Sequence, residues 1–465
     1  MNPANKLRQT IIIITVVVAI LSGLSFIDSS FILQNHELKR IDLFSDVKYR
    51  SIFLHVPVSE KLLTDSIIKI DKLAYSKVKA LPDAIVDFGS DTLSALAHFL
   101  NSLRQTEQKK KKTRIAYFGD SMIEGDLVTQ DLRLSLQDTF GGNGVGFMPI
   151  TSIVAGFRQT VFHTFSSNWQ IYSLLDQSAS NHTLGISGYD FVPALTNVID
   201  TVSGNSGSWV RYSAVNRKRL DKFYNVKLFY GNSGEGNYVT AAGQTFPLKN
   251  STGVNELEIH KGYPIQTVQA SFQCQSRVNL FGFSFEGDSG VYVDNLSFRG
   301  NSGMPLTKIP ATVLSGINAQ QDYGLVILHY GVNVVSHTVT DFSWYERGMT
   351  EVVNHIKAAM PDASILIIST GDKSFFHDGA YVTDPSVPLV IDVQKRVAEK
   401  TGVAFWNLYE AMGGYNSMVK WVQGDTVLAN KDYTHPNFRG AKKIADMLYR
   451  HLMDEYKAYA KKQKV

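Results

Sequence analysis

The chain has 465 residues, of which 44% are hydrophobic and 19% charged. This composition excludes a disordered protein, and the length indicates two or three folded units. The formal net charge of +4 is small for this length and no nucleic-acid-binding motif accompanies it, so nucleic acid is not expected as a partner.

The N-terminus carries the features of an export segment. Lys6 and Arg8 precede an uncharged apolar run from Ile11 to Ile27. The run fits a secretory signal or a short membrane span, and its length and the lack of a clear cleavage site favour a retained anchor over residues 1–28. We therefore expect a protein of the bacterial cell envelope, on the periplasmic side and anchored in the inner membrane, or a secreted protein if the segment is cleaved. The single cysteine, Cys274, is predicted to be a buried core residue, and the absence of a disulfide pair suits this location.

Residues 29–112 are predicted to form a stem that ends in an amphipathic helix. Apolar residues recur at helical spacing from Thr92 to Glu107, and the lysines at 109–112 are interpreted as a solvated helix end and linker. An apolar strand, Arg114 to Phe118, then leads into Gly119-Asp120-Ser121, followed by a helical pattern to Phe140. The glycine-rich run 141–146 is not a phosphate loop, because it follows a helix and lacks Gly-Lys-Ser/Thr.

Residues 153–289 have a different pattern of short apolar runs separated by Gly, Asn and Ser clusters. Many short strands with turn signals between them predict an inserted β-sandwich or jelly roll. The clearest strands are Trp209–Ser213, Val226–Tyr230 and Val278–Phe285.

Alternating strands and helices return over residues 290–465. The predicted strands are Val291–Leu296, Leu325–Leu328, Ser364–Ser369 and Val403–Trp406, and the helices are Met349–Met360, Val390–Lys400 and Phe438–Tyr456. This alternation predicts a parallel sheet with helices on both faces. One α/β domain, residues 113–152 and 290–465, is therefore expected to be interrupted by the sandwich.

Chemically useful residues follow four of the predicted strands. They are Ser121, the Gly300-Asn-Ser-Gly303 turn, Gly331-Val-Asn333 and Asp432-Tyr-Thr-His435. Because reactive groups gather at the carboxyl ends of parallel strands, these blocks should meet at one edge of the sheet. His329 and His337 flank the Asn333 block without a metal-ligand cluster and are predicted to be structural, with a position lining the pocket as the alternative for His337. No metal or cofactor is expected.

The four blocks together resemble the SGNH, or GDSL, hydrolase superfamily. The resemblance implies a flavodoxin-like parallel sheet and a serine acyl-transfer mechanism. Ser121 would be the nucleophile, His435 its base and Asp432 the acid that orients the imidazole. The backbone N–H groups of Ser121 and Gly303 and the amide of Asn333 would form the oxyanion hole. Asp120 is then left to cap the turn after the strand.

Finer features are similar to the periplasmic peptidoglycan O-acetylesterase branch of that superfamily. They are the Gly119–Asp126 block, the glycine run and a β-sandwich inserted after the serine block, which the resemblance likens to a carbohydrate-binding module. Trp169 and Trp209 could stack on sugar rings or pack in the sandwich core. The leading hypothesis is an esterase that removes O-acetyl groups from peptidoglycan or another envelope glycan. The alternatives are an O-acetyltransferase with the same triad, supplied by a membrane acyltransferase partner, and a non-catalytic glycan-binding envelope protein.

Overall fold

The computed structural model describes residues 32–33, 36–37, 84–90, 93–176, 182–196 and 207–463. The chain divides into two compact units, Met1–Asp65 and Ser66–Val465. In the first unit, strands β1 (Ile32–Leu33) and β2 (His36–Glu37) pair antiparallel. The predicted anchor over residues 1–28 and most of the predicted stem lie outside the described residues. Among the residues that are described, no helix is long and apolar enough to cross a membrane.

The second unit combines an α/β layer structure with a β-sandwich. In chain order its first elements are β3 (Ile85–Asp87), α1 (Ala97–Lys109), β4 (Lys112–Gly119) and α2 (Thr129–Phe140). The sandwich strands are β5 (Gly146–Met148), β6 (Phe162–Phe165), β7 (Gln170–Ser173), β8 (Tyr189–Val192), β9 (Ser208–Ser213), β10 (Asn225–Ser233), β11 (Asn237–Ala241), β12 (Gln244–Pro247), β13 (Asn255–His260), β14 (Thr267–Cys274) and β15 (Val278–Glu286).

The α/β part then resumes and continues to the last described helix. Its elements are β16 (Gly290–Ser297), α3 (Ala311–Gln321), β17 (Tyr323–His329), α4 (Ser343–Ala359), β18 (Ser364–Ile368), β19 (Ser374–His377), β20 (Ala380–Thr383), α5 (Val387–Thr401), β21 (Ala404–Trp406), α6 (Leu408–Met412), α7 (Ser417–Gln423) and α8 (Phe438–Lys462).

The α/β sheet has six strands in the order β16-β4-β17-β18-β21-β3. The first five strands run parallel, and β3 pairs antiparallel with β21, so the sheet is mixed instead of purely parallel as expected. The central strands are buried on both faces because helices cover both sides. One core contains buried residues of α1, α2 and α8, and the other contains buried residues of α3, α4 and α5.

The insertion forms two packed antiparallel sheets. One has the order β13-β10-β15-β8-β7 with β5 also pairing to β15, and the other has the order β12-β11-β14-β9-β6. Their facing sides bury a common apolar core that includes Phe272 and Phe283. The sandwich begins earlier than the predicted boundary at residue 153, because β5 already belongs to it. Three residues after a glycine run are too short to show a strand period.

A buried ion network joins the sandwich to the α/β sheet. On β4, Arg114 Nε donates to Asp294 Oδ2 of β16 at 2.7 Å, and the same guanidinium bonds to Glu286 at the end of β15. Lys112 Nζ also donates to Glu286, at 2.6 Å. Burial alone would raise the pKa of Glu286, but Arg114 and Lys112 hold it well below its usual range. The β4–β16 edge of the α/β sheet and the last sandwich strand are therefore packed together by buried ion pairs.

Candidate active site

Ser121 stands where the central strand β4 ends. The chain turns there into a short 3-10 helix, Ser121–Asp126. Asp120 Oδ1 accepts a hydrogen bond from Met122 N–H at 2.9 Å, so the capping role predicted for Asp120 is confirmed. This cap fixes the turn that presents the Ser121 hydroxyl at the carboxyl edge of the sheet.

Three side chains form a continuous chain of hydrogen bonds at this edge. Ser121 Oγ lies 2.8 Å from His435 Nε2, and His435 Nδ1 lies 2.7 Å from Asp432 Oδ2. Asp432 Oδ1 also accepts from the backbone N–H groups of Thr434 and His435, each at 3.0 Å. The carboxylate therefore fixes both the backbone turn and the imidazole, which leaves His435 Nε2 directed at the serine.

Backbone bonds on both sides of His435 also hold its loop to the rest of the α/β part. Ala429 and Pro436 form an isolated β-bridge, and Asn430 N–H donates to the His435 carbonyl at 2.9 Å. The Asn437 side chain then caps α8 by accepting from the N–H groups of the next turn. His435 is thus held on a short, doubly anchored loop instead of a free one.

Two of the predicted oxyanion donors, Gly303 and Asn333, have protein acceptors in this structure, and Asn333 bonds to Asp120, the residue before Ser121. Gly303 N–H donates to Asn301 Oδ1 at 2.9 Å. Asn333 Nδ2 donates to Asp120 Oδ2 at 3.0 Å and to the Asn301 carbonyl at 3.1 Å. Gly303 has φ of 95°, and a Cβ there would come within 2.9 Å of the Tyr330 ring, so the position requires glycine. To bind a substrate oxyanion, Gly303 and Asn333 would exchange one of these bonds for the new acceptor.

The pKa values of Asp120 and Asp432 are shifted in opposite directions. Burial raises the pKa of Asp120 to about 7, although the hydrogen bonds from Met122 and Asn333 oppose the shift. For Asp432 burial also acts upward, but the hydrogen bonds from His435 and the backbone outweigh it and leave its pKa below the usual value. Asp432 is therefore the carboxyl group that stays ionised beside the imidazole.

A half-buried lysine supports the loop that carries Asn333. Lys373 Nζ donates to the carbonyl oxygens of Val332 at 3.3 Å and Val335 at 3.2 Å. Burial lowers the pKa of Lys373, and the carboxylates of Asp384 and Asp120 act against that shift.

The far end of the Ser121 turn contacts the inserted domain. Asp126 is buried and accepts from Arg133 of α2 at 2.7 Å and from the Thr160 hydroxyl at 2.7 Å. Arg158 lies 3.1 Å from the same carboxylate. Burial alone would raise the pKa of Asp126, but the two arginines hold it well below its usual range. The loop between β5 and β6 therefore anchors the turn that begins with Ser121.

The remaining residues named from the sequence take structural positions. His329 is buried on β17, where its Nδ1 lies 3.1 Å from the Tyr117 hydroxyl, and burial lowers its pKa to about 4. His337 is half-exposed, and its Nδ1 lies 3.7 Å from Asp384. Across the described parts of the chain, no group of three or more His, Cys, Asp or Glu could hold a metal ion.

Two sandwich residues named from the sequence lie in its core. Trp169 is buried and packs edge-on against Phe272 with ring centroids 5.5 Å apart, so it is a core residue and not a sugar platform. Cys274 is also buried, and burial raises the pKa of its thiol to about 12, which makes it unreactive. Trp209 is half-buried on β9.

The sequence analysis missed three residues that shape the site. Asn301 accepts from Gly303 and from Asn333, and it lies inside the Gly300–Gly303 block, whose pattern points to its glycines. Lys373 carries no local pattern, because its partners are backbone carbonyls 38 and 41 residues away. Tyr381 contacts the His435 loop from a hairpin too short and exposed to show a strand pattern.

Part of the chain that holds these site residues matches a known protein family. The model of the GDSL-like lipase/acylhydrolase family matches residues 268–443. The match contains Gly303, Asn333, Asp432 and His435, whereas the Ser121 block lies outside it because the sandwich separates the two. The chain carries a GDSL-like lipase/acylhydrolase domain. It is therefore an enzyme of the acyl-ester hydrolase class, as the sequence analysis predicted.

Solved structures give a likeness of fold. A peptidoglycan O-acetylesterase structure is 22% identical with a TM-score of 0.65, over 80% of this chain and 99% of that chain. A family two carbohydrate esterase from Clostridium thermocellum in complex with cellohexaose is 11% identical with a TM-score of 0.27, over 63% of this chain and 98% of that one. An acetyl xylan esterase is 18% identical with a TM-score of 0.28, over 34% and 79%. No curated protein matches the chain.

Proposed function

We propose that this GDSL-type hydrolase is a carbohydrate O-acetylesterase that acts on O-acetylated peptidoglycan or another glycan of the cell envelope. The observation that carries the proposal is the hydrogen-bonded series Ser121–His435–Asp432, with distances of 2.8 and 2.7 Å. The peptidoglycan O-acetylesterase supports the choice of substrate, because its likeness covers 80% of this chain and is too long to be confined to the α/β sheet.

In the proposed reaction Ser121 Oγ attacks the acetyl carbonyl while His435 Nε2 accepts the hydroxyl proton. Asp432 holds the imidazole tautomer and stabilises the imidazolium that forms. The tetrahedral oxyanion is bound by backbone N–H of Ser121 and Gly303 and by Asn333. His435 then returns the proton to the sugar oxygen, which leaves, and water repeats the sequence on the acetyl-serine to release acetate.

The sugar part of the substrate is proposed to lie against the sandwich. A cavity of about 90 Å³ lies at the junction of the two domains, beside the Ser121 turn. The α/β part contributes Glu124, Gly125, Asn295 and Ser297, and the insertion contributes mainly apolar and aromatic side chains, among them Met148, Ile171, Tyr189 and Phe191. Apolar and aromatic walls with a few polar groups are typical of small-molecule sites.

The test is acetate release from an O-acetylated muro-oligosaccharide by the full chain in detergent. Ser121→Ala should abolish release, whereas Ser315→Ala, at an exposed serine on α3, should behave as the wild type. Circular dichroism of both variants controls for folding. Acetate release that survives in Ser121→Ala would rule out the proposed nucleophile.

A transferase remains the second candidate because of the sequence from Ile11 to Ile27. A retained anchor would place the enzyme beside a membrane acyltransferase partner in the envelope, where a sugar hydroxyl could replace water as acceptor. Isotopically labelled acetyl donor distinguishes the two reactions. Label in free acetate supports the esterase, and label in an added oligosaccharide supports the transferase. Fractionation of cells tests the envelope location independently.

A further inference from the structure

The hairpin of β19 and β20 lies between the two loops that carry His435 and Asn333. Its strands pair from Ser374 opposite Thr383 to His377 opposite Ala380. A buried carboxylate holds its base: Asp372 Oδ1 accepts from the Thr383 hydroxyl at 2.8 Å, and Oδ2 accepts from Met418 N–H at 2.7 Å. The hairpin is therefore fixed to the α/β core at its open end.

On one side the hairpin clamps Tyr433, which directly follows Asp432 in the loop that carries His435. Ser374 N–H donates to the Tyr433 carbonyl at 3.0 Å. The rings of Tyr381 and Tyr433 lie face to face, with centroids 3.6 Å apart and planes 7° from parallel. Gln423 Nε2 donates to the Tyr433 hydroxyl at 2.8 Å. Backbone, ring face and hydroxyl of this one residue are all held.

Tyr433 needs such support because its backbone is left-handed. Its φ is 53°, which lies in the left-handed region that is strained for a residue other than glycine. That twist lets one carboxylate, Asp432, reach both the backbone N–H and the Nδ1 of His435. If Tyr433 relaxed to a negative φ, the imidazole would turn away from Ser121.

On the other side the hairpin segment contacts the Asn333 loop. Lys373, directly before β19, binds the carbonyls of Val332 and Val335. Just after β20, Ser386 Oγ accepts from Ser336 N–H at 2.9 Å. The same short segment thus bonds to the loop of the base and to the loop of the oxyanion donor.

We propose that this hairpin aligns the two halves of the catalytic site and that Tyr381 is the positioning residue that holds His435, through Tyr433, in reach of Ser121. The inference rests on the proposed function, since it presupposes that His435 accepts the Ser121 proton. A displacement of about 1 Å in a catalytic group can lower the rate by about 10²-fold, so loss of the ring stack should be visible in turnover.

The test compares three variants of the hairpin with p-nitrophenyl acetate as substrate. Tyr381→Ala should lower kcat by roughly 10- to 100-fold with KM changed by no more than about twofold, because substrate contacts are not removed. Tyr381→Phe keeps the ring face and should restore kcat. His377→Ala is the matched control, because His377 lies on the same hairpin opposite Ala380 and its side chain is 49% exposed.

A spectroscopic measurement separates positioning from general destabilisation. The low-field proton resonance of a histidine Nδ1–H bonded to a carboxylate should be present in the wild type and in Tyr381→Phe, and should broaden or vanish in Tyr381→Ala. If Tyr381→Ala folds poorly, Tyr381→Leu takes its place in the comparison. This variant keeps apolar volume without a flat ring face and should show the same loss of kcat.

Wild-type kcat in folded Tyr381→Ala or Tyr381→Leu would overturn the proposal, and so would an equal loss of kcat in His377→Ala. Ser121→Ala in the same assay separates this failure from that of the proposed function. If Ser121→Ala is inactive while Tyr381→Ala is fully active, only the role of the hairpin is wrong. If Ser121→Ala is active, both proposals fall.

Discussion

The α/β part and the β-sandwich place their buried polar groups in different ways. In the α/β part, Asp120 and Asp372 are buried and Lys373 is half-buried close to the carboxyl edge, and desolvation displaces the pKa of each. In the sandwich, Asp190 bonds within the domain to Asn279, whereas Glu286 bonds to the α/β sheet. The difference indicates that one region concentrates the chemistry and the other supplies structure and surface beside it.

The largest expected effect is the loss of activity when His435 is replaced, in contrast to His337 of the same α/β part. His435→Ala should lower kcat for acetyl ester hydrolysis by about 10⁴-fold or more, because the serine then lacks its base. His337→Ala, at a half-exposed histidine near the Asn333 loop, should retain most of the activity. Steady-state kinetics measures both, and similar losses in the two variants would remove the distinction.

The next largest effect concerns the junction of the two regions. Arg114→Met leaves the buried carboxylates of Glu286 and Asp294 without their guanidinium partner and should lower the free energy of unfolding by about 3–5 kcal/mol. Lys112→Met removes a partly exposed partner of the same Glu286 and should cost clearly less. Urea denaturation gives the comparison. A loss below about 1 kcal/mol for Arg114→Met would show that the two regions are stabilised independently.

A smaller effect tests a buried histidine of the sandwich. His163 Nε2 bonds to the Ile150 carbonyl, and burial lowers the His163 pKa to about 4. Between about pH 6.5 and 4, His163 therefore binds a proton in the unfolded chain but not in the folded chain. The contribution of His163 to the free energy of unfolding is complete above pH 6.5 and is lost as the pH falls toward 4. The wild type should lose about 3 kcal/mol more than His163→Phe across this window.

Unfolding free energies at several pH values measure that difference, in which the opposing titration of buried carboxyl groups cancels. His98→Ala, at an exposed histidine of α1, is the control and should follow the wild type. Parallel pH curves for the wild type and His163→Phe would contradict the assigned environment of His163.

The smallest effect asks whether the insertion contributes to substrate binding. Phe157, in the loop between β5 and β6, stacks on Phe438 with centroids 5.0 Å apart and remains 47% exposed. Phe157→Ala should raise KM for an O-acetylated glycan about 2- to 10-fold, the range of one aromatic contact, and leave p-nitrophenyl acetate hydrolysis unchanged. Phe162→Ala, at an aromatic residue of β6 that is 67% exposed and does not line the proposed sugar cavity, is the control. An unchanged KM for the glycan would separate the loop from the substrate.

Much of the fold was predictable because its signals are periodic. The helix predicted over Val390–Lys400 extends over Val387–Thr401, and the strand predicted over Val291–Leu296 extends over Gly290–Ser297. Buried parallel strands and amphipathic helices repeat their apolar residues over enough positions to be recognised. The antiparallel edge strand β3, the short strand β5 and the β19–β20 hairpin have three or four residues each, and their pairing depends on distant partners.

The site was predictable to the extent that it follows strand ends. Ser121, Asp432 and His435 were named from local blocks, and the structure brings their side chains into hydrogen-bond distance. The hydrogen bonds of Asn333 to Asp120 and Asn301 could not be predicted, because they join segments 213 and 32 residues apart. The protein groups that accept hydrogen bonds from the predicted oxyanion donors depend on how the loops meet at the edge of the sheet. No single sequence block determines them.

The most direct test of the central claim is covalent labelling of the nucleophile. The full chain is treated with a p-nitrophenyl phosphonate ester, which mimics the tetrahedral intermediate, and the adduct is located by peptide mass spectrometry. The account predicts a single adduct on Ser121, formed far more slowly in His435→Ala. An adduct on another residue, or labelling of Ser121 at the same rate without His435, would contradict it.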